Sequence, residues 1–370
     1  MRKKSNRLFA LLFVFAVLAC APSAVAAGER IEIRTDFTEP DAVLAILAKR
    51  AGSQPVTDAD WQALFSTEPY QRLKNREATI HAPFTDDEFK AFVLSDALLR
   101  DRDALSRTVA LWKKIDLRAP AARILKYLPA ESSIHAKVFP VIKPARNSFV
   151  FEVDSDPAIF LYVNPQVSAA SFENTVAHEM HHIGLSSVDK EYEQKLAALP
   201  PAAKSVATWM GAFGEGEAML AAAGELTIDP VATASQEIKD NWARGAENFD
   251  ADLAKVNQFF LDVLNGKLQG DAINEKGSEF FGLQGPWYTV GYRMAQVVEA
   301  QFGRPALIEC MRDRRLLLVR YNAAAERLNH PPKPASLKRA RAGTAPQDPP
   351  APQWPLWSPE ILKATEAPPQ

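Results

Sequence analysis

Beyond residue 28 the apolar positions first recur at helical spacing. Phe89, Phe92, Val93, Leu98, Leu99 and Leu105 include pairs three, four and seven residues apart (89/92, 89/93, 92/99, 98/105), the signature of one helix face. Thr85 and Glu88 form a capping box ahead of them, so the pattern predicts one long helix running to about Lys114. Shorter helices are expected over 41–50, after Pro40; from Thr57 through Trp61 and Leu64; and over 119–127. The period then changes. Residues 134–142, 148–153 and 158–163 are rich in Val, Ile and Phe, and Pro144, Asn147, Asp154, Asp156 and Pro157 punctuate them. Three short strands in an antiparallel meander are predicted there.

After Asn164-Pro165 the helical period returns. Ser168 or Ser171 caps a helix through Ile183, and further helices are expected over 202–223 and 235–264. Residues 266–286, with five glycines and Pro286, read as loop, followed by helices at 287–302, 305–312 and 316–328. Residues 331–370 hold eleven of the 27 prolines, which disfavours both helix and sheet. They read as a disordered or extended tail in which Trp354 and Trp357 could dock. The fold class that emerges is α+β, mostly helical. A small antiparallel sheet precedes the helix carrying the candidate site. The expected regions are 1–26, 28–130 (helical), 131–330 (catalytic) and 331–370 (tail).

Composition narrows the function. With a formal net charge of -2 over 370 residues, the chain offers no electrostatic footprint for nucleic acid. Arg2, Lys3, Lys4 and Arg7 precede an apolar run from Leu8 to Ala19 and an Ala24-Val25-Ala26 cleavage site, which reads as a signal peptide over 1–26. The run is shorter than the ~20 residues of a spanning helix, so an exported protein without a membrane span is expected, periplasmic or secreted. Val17-Leu18-Ala19-Cys20 also reads as a loose lipobox, with Cys20 as the lipidated residue of an outer-membrane lipoprotein. Apart from Cys20 the only cysteine is Cys310, so no intramolecular disulfide is expected in the mature chain.

The chemistry concentrates in His178-Glu179-Met180-His181-His182. His178 and His182 are four residues apart, which on a helix places both imidazoles on one face. Two nitrogens so placed can share a zinc ion. Glu179 would sit beside the metal, where it can take a proton from the attacking water and pass it to a leaving amine. With six histidines in the whole chain, this H-E-x-x-H pattern is specific. His181 projects about 100° away from that face, which suits a supporting or surface role. Asn174 and Glu173 are placed to orient the ligating imidazoles.

A catalytic zinc needs a third protein ligand. His81, His135 and His330 lie in the wrong elements, which leaves a carboxylate. Glu215 and Glu217 lie on the next helix, Glu215 being 33 residues after His182. They diverge by about 200° on a helix, so only one can face the metal. Glycines on both sides of Glu215 would allow close approach.

A sheet, an H-E-x-x-H helix and a Glu-bearing helix together resemble the gluzincin metallopeptidases. Gly214-Glu215-Gly216-Glu217-Ala218 resembles the Asn-Glu-Gly-x-Ala ligand motif of the zinc aminopeptidase branch, which implies Glu215 as the third ligand. Gly214 stands where that motif has Asn, and the spacing is longer. No Gly-x-Met-Glu-Asn motif is present, so exopeptidase specificity is not implied. The chain is also similar, over about 35–325, to an uncharacterised bacterial family of zinc-dependent peptidases, through Glu173–Gly184 and Gly285–Tyr292. The gluzincin resemblance further implies a Tyr or His donor to the oxyanion, for which Tyr288 and Tyr292 are the candidates, with Arg293 assisting.

The expected function is hydrolysis of peptide bonds in a peptide or protein substrate, with Glu179 as general base. The alternatives are zinc hydrolysis of a non-peptide amide or cell-wall substrate, and a non-catalytic binding protein. An edge strand of the sheet could bind extended peptide by strand addition.

Overall fold

The computed structural model describes residues 30–331 and 353–366. The signal segment with Cys20, and most of the Pro-rich tail, lie outside the described residues.

In chain order the elements begin with β1 (Ile31–Thr35), α1 (Thr38–Ala51), α2 (Asp58–Phe65), α3 (Glu68–Thr79), α4 (Asp86–Val93), α5 (Asp96–Trp112) and α6 (Arg118–Ile124). The strands β2 (Ile134–Val141), β3 (Phe149–Phe151) and β4 (Ala158–Tyr162) follow. Then come α7 (Ala169–Ser186), α8 (Lys190–Ala197), α9 (Pro201–Met210), α10 (Gly214–Ala223), α11 (Gln236–Glu247), α12 (Phe249–Leu264), α13 (Asp271–Glu279), α14 (Pro286–Phe302), α15 (Arg304–Arg312), α16 (Arg315–Asn329) and α17 (Pro359–Thr365). The chain is α+β and mostly helical, as expected. No helix among the described residues is long and apolar enough to cross a membrane.

The sheet differs from the expected meander in its pairing. It is mixed, in the order β1-β2-β4-β3. β2 runs parallel to β1, with Ile31 opposite Ile134, and parallel to β4, with Phe139 opposite Phe160. Only β3 is antiparallel, pairing its Phe149 with Phe160 at the outer side of β4. The physical reason lies in burial. Ala158 to Leu161 are all buried, whereas β3 is half-exposed throughout. A continuous apolar strand belongs inside a sheet covered on both faces, and a half-exposed one belongs at its edge.

The two faces of β2 serve different layers. Ile134, Ala136 and Val138 face the main core with Val176 and Ile183 of α7, while Phe139 and Val141 join Phe160 and Leu73 of α3 in a smaller cluster. Among the described residues one main core draws on side chains from Val43 to Ile361.

Several predicted helices are broken in the structure. Ser95 accepts a hydrogen bond from Leu98 N and splits the long helix into α4 and α5. Gly211 ends α9, with a short 3-10 turn leading into α10, and Asn248 separates α11 from α12. The stretch read as loop contains α13. Part of the tail is ordered against the domain. Trp357 is buried beside Phe213 and Phe260. Its main chain is gripped by Asn322, as that of Trp354 is by Asn329. The α17 helix overturns the expectation of an unstructured tail at 359–365.

Candidate metal centre

Ser168 starts α7 by accepting a hydrogen bond from Ser171 N at 3.0 Å. One face of the helix buries Phe172, Val176, Met180 and Ile183. At its far end Gly184 lets the sheet approach, since a Cβ there would lie 2.3 Å from Leu128 Cδ1 and 3.2 Å from Ile134 Cγ1. This packing turns His178 and His182 toward α10. Their Nε2 atoms face each other at 3.1 Å, and Oε2 of Glu215 lies 3.0 Å from the first and 3.4 Å from the second.

These three atoms fit a zinc ion. Ligand atoms about 2.0–2.2 Å from a tetrahedral zinc stand roughly 3.3–3.6 Å apart, close to the separations found. The electrostatics agree. Glu215 is held well below the usual carboxylate range: burial would raise it, and the two imidazoles more than offset that. Burial would lower His182, yet the Glu215 carboxylate raises it to about 9. His178, His182 and Glu215 form the one group of three metal-capable side chains found together among the described residues.

Other predicted residues fall as follows. Glu179 is half-buried, and its charge acts on both His182 and Tyr288. Glu217 is turned away from the cluster and is 1% exposed, with neither oxygen hydrogen-bonded. Burial pushes it up to about 7, against the opposing charges of Arg314 and His182. His181 is fully buried, which rules out the surface role allowed for it, and burial together with His182 holds it well below the usual histidine range.

The two tyrosines separate. Tyr288 stacks beside His178, ring centroids 6.2 Å apart and 17° from parallel. Burial and the adjacent Glu215 carboxylate raise its hydroxyl, so it stays an O–H donor. Tyr292 is not brought into this cleft. It packs edge-on against Trp242, accepts a hydrogen bond from Gln296 Nε2 at 3.1 Å and lines a separate cavity. Arg293 lies over Trp354. The proposed orienting residues are also engaged elsewhere: Asn174 donates to Pro230 O and Glu173 pairs with Arg123. Nδ1 of His178 is buried without a partner.

A cavity of about 270 Å³ opens beside His178 and Tyr288, walled by Met219, Val231, Ile238 and Leu283, with Gln284 at one side. None of these wall residues stands out in the sequence. The only signal was the Gly282–Gly285 punctuation, which reads simply as a turn.

A family model described as "Putative zinc dependent peptidase (DUF5700)" matches residues 61–330, and the chain belongs to that family. Zinc is thus the metal of the family's description, and the His178, His182 and Glu215 cluster suits it. No curated protein and no solved structure matches the chain.

Proposed function

We propose that this member of the zinc dependent peptidase family hydrolyses peptide bonds, with His178, His182 and Glu215 holding the metal and Glu179 as general base. The observation that carries the reading is the convergence of three ligand atoms on one point, with Glu179 and Tyr288 at its border. When bound, zinc supplies a Lewis acid for the scissile carbonyl and for water.

The remaining steps belong to the chain's own side chains. Glu179 accepts the proton of the attacking water at a carboxylate oxygen and delivers it to the nitrogen of the leaving amine. Tyr288, kept protonated by its surroundings, donates its O–H to the carbonyl oxygen as negative charge develops there. The apolar wall beside His178 offers a seat for the substrate. Export through the segment 1–26 belongs to the same proposal, and fractionation of a tagged chain tests it.

The deciding experiment pairs Glu179→Gln with the wild type on a casein and peptide-library digest. The variant should keep its zinc and its fold and lose turnover by roughly 10²–10⁴-fold. Near-normal turnover would show that Glu179 is not the base.

A further inference from the structure

Gln284 carries two local costs at once. Its φ is +57°, in the left-handed region that a side chain with a Cβ seldom adopts. Its side-chain Oε1 is also buried and has no hydrogen-bond partner. The turn that imposes this is clamped on both sides. Leu283 O accepts a hydrogen bond from Asn241 Nδ2 of α11, and Gly285 N donates to Phe281 O at 2.6 Å. A Cβ on Gly285 would lie 2.5 Å from Phe280 O, so the segment has no room to relax. Backbone strain and an unpaired buried acceptor meet at this one residue, and such features cluster at ligand sites.

The Gln284 side chain lines the same cavity as His178 and Tyr288. No Asp, Glu, Lys or Arg lines that cavity; Met219, Val231, Ile238 and Leu283 give it an apolar wall, and the neutral polar side chains of Ser171, Asn174, Thr175 and Thr233 also line it. Leu283 stands at the mouth, 52% exposed.

We propose that Gln284 Oε1 accepts a hydrogen bond from a main-chain N–H of the substrate, and that the cavity takes an uncharged apolar side chain next to the scissile bond. This assignment rests on the peptidase reading. A bound peptide brings main-chain N–H groups that must be paired once buried, and Gln284 offers an acceptor already desolvated and fixed in place. The cavity lining itself carries no Asp, Glu, Lys or Arg to pair with a charged substrate side chain. Leu, Met or Phe would bury apolar surface there instead.

The test uses the zinc-loaded full chain and fluorogenic peptides varied on both sides of the cleaved bond. Wild type should favour Leu, Met or Phe over Asp, Glu, Lys or Arg at one position by at least roughly tenfold in kcat/KM. Gln284→Ala should raise KM by roughly tenfold with a smaller change in kcat. N-methylating the donating peptide bond should cost the wild type a similar factor and cost Gln284→Ala nothing further. Gln284→Gly, measured without metal, should raise Tm because glycine accepts the backbone angle. An unchanged KM in Gln284→Ala, a wild type indifferent to charge in the substrate, or a lower Tm in Gln284→Gly would overturn the assignment while leaving the peptidase reading intact. A zinc-loaded wild type that cleaves no peptide would overturn both.

Discussion

Gly216 and Gly291 touch main chain to main chain. A Cβ on Gly216 would stand 2.4 Å from the carbonyl carbon of Gly291 and 2.0 Å from Tyr292 N. That contact sets α10 against α14 and so fixes Glu215 relative to Tyr288. Since the obstacle is backbone, Gly216→Ala cannot be absorbed by a rotamer change. It should destabilise the fold by at least about 3 kcal/mol, at the upper end of overpacking costs. Thermal unfolding decides this; an unchanged Tm would mean the helices can separate freely. Gly214, in contrast, has nothing within 4 Å of such a Cβ, so Gly214→Ala should be mild.

The ligand set makes its own prediction. His178→Ala, His182→Ala and Glu215→Ala should each lose the single zinc expected per chain, because two protein ligands are too few for a stable catalytic site. Glu217→Gln should retain it, since Glu217 is buried away from the cluster. Metal analysis and zinc titration at one fixed pH would check this, ligand deprotonation being pH-dependent. Zinc loss from Glu217→Gln with retention in Glu215→Ala would reverse the assignment.

Tyr288 and Tyr292 should part company in kinetics. Tyr288→Phe should lower kcat by roughly 10²–10³-fold, the cost of one oxyanion donor, with zinc content unchanged. Tyr292→Phe should leave kcat within about twofold, because its hydroxyl is bound to Gln296 in another cavity. Equal losses in the two variants would mean that neither acts as the donor.

Far from the metal, Glu39 predicts a pH dependence of stability. It is fully buried; Oε2 accepts from Ile142 N at 3.0 Å and Oε1 has no partner. Burial pushes its carboxyl up to about 8 from an ordinary 4.5, despite the Ile142 N–H. The folded chain therefore binds this proton more tightly than the unfolded one. The resulting stability is fully present below pH 4.5 and is lost as the pH rises through about 8. Glu39→Gln keeps the shape without the charge, so at pH 9 it should exceed the wild type by roughly 2–4 kcal/mol in denaturant unfolding. At pH 4 the two should converge. Parallel stability curves would refute the role given to Glu39.

Features that depend on neighbours along the chain are legible before folding. The four-residue spacing of His178 and His182, and the place of Glu179 beside them, are properties of any helix through those residues. The Thr85 cap, the helix over 287–302 and the mostly helical α+β class were legible for the same reason. Glu215 against Glu217 was narrowed to two residues on one helix, because both faces satisfy the same local pattern.

Relations between elements arise only once the chain has folded. The rotation of α10 against α7 and α14 turned Glu215 to the histidines and buried Glu217. It rests on the backbone contact at Gly216, which spacing along the chain does not encode. Strand order likewise depended on which strand could be covered on both faces, so β4 took the interior and β3 the edge. Tyr288 and Tyr292 are one helical turn apart and looked equivalent. Trp242 on α11 holds one of them, and the cleft with its His178 wall receives the other. Gln284 was invisible for the most basic reason: neither a strained backbone angle nor an unpaired buried oxygen exists until the chain has folded around it.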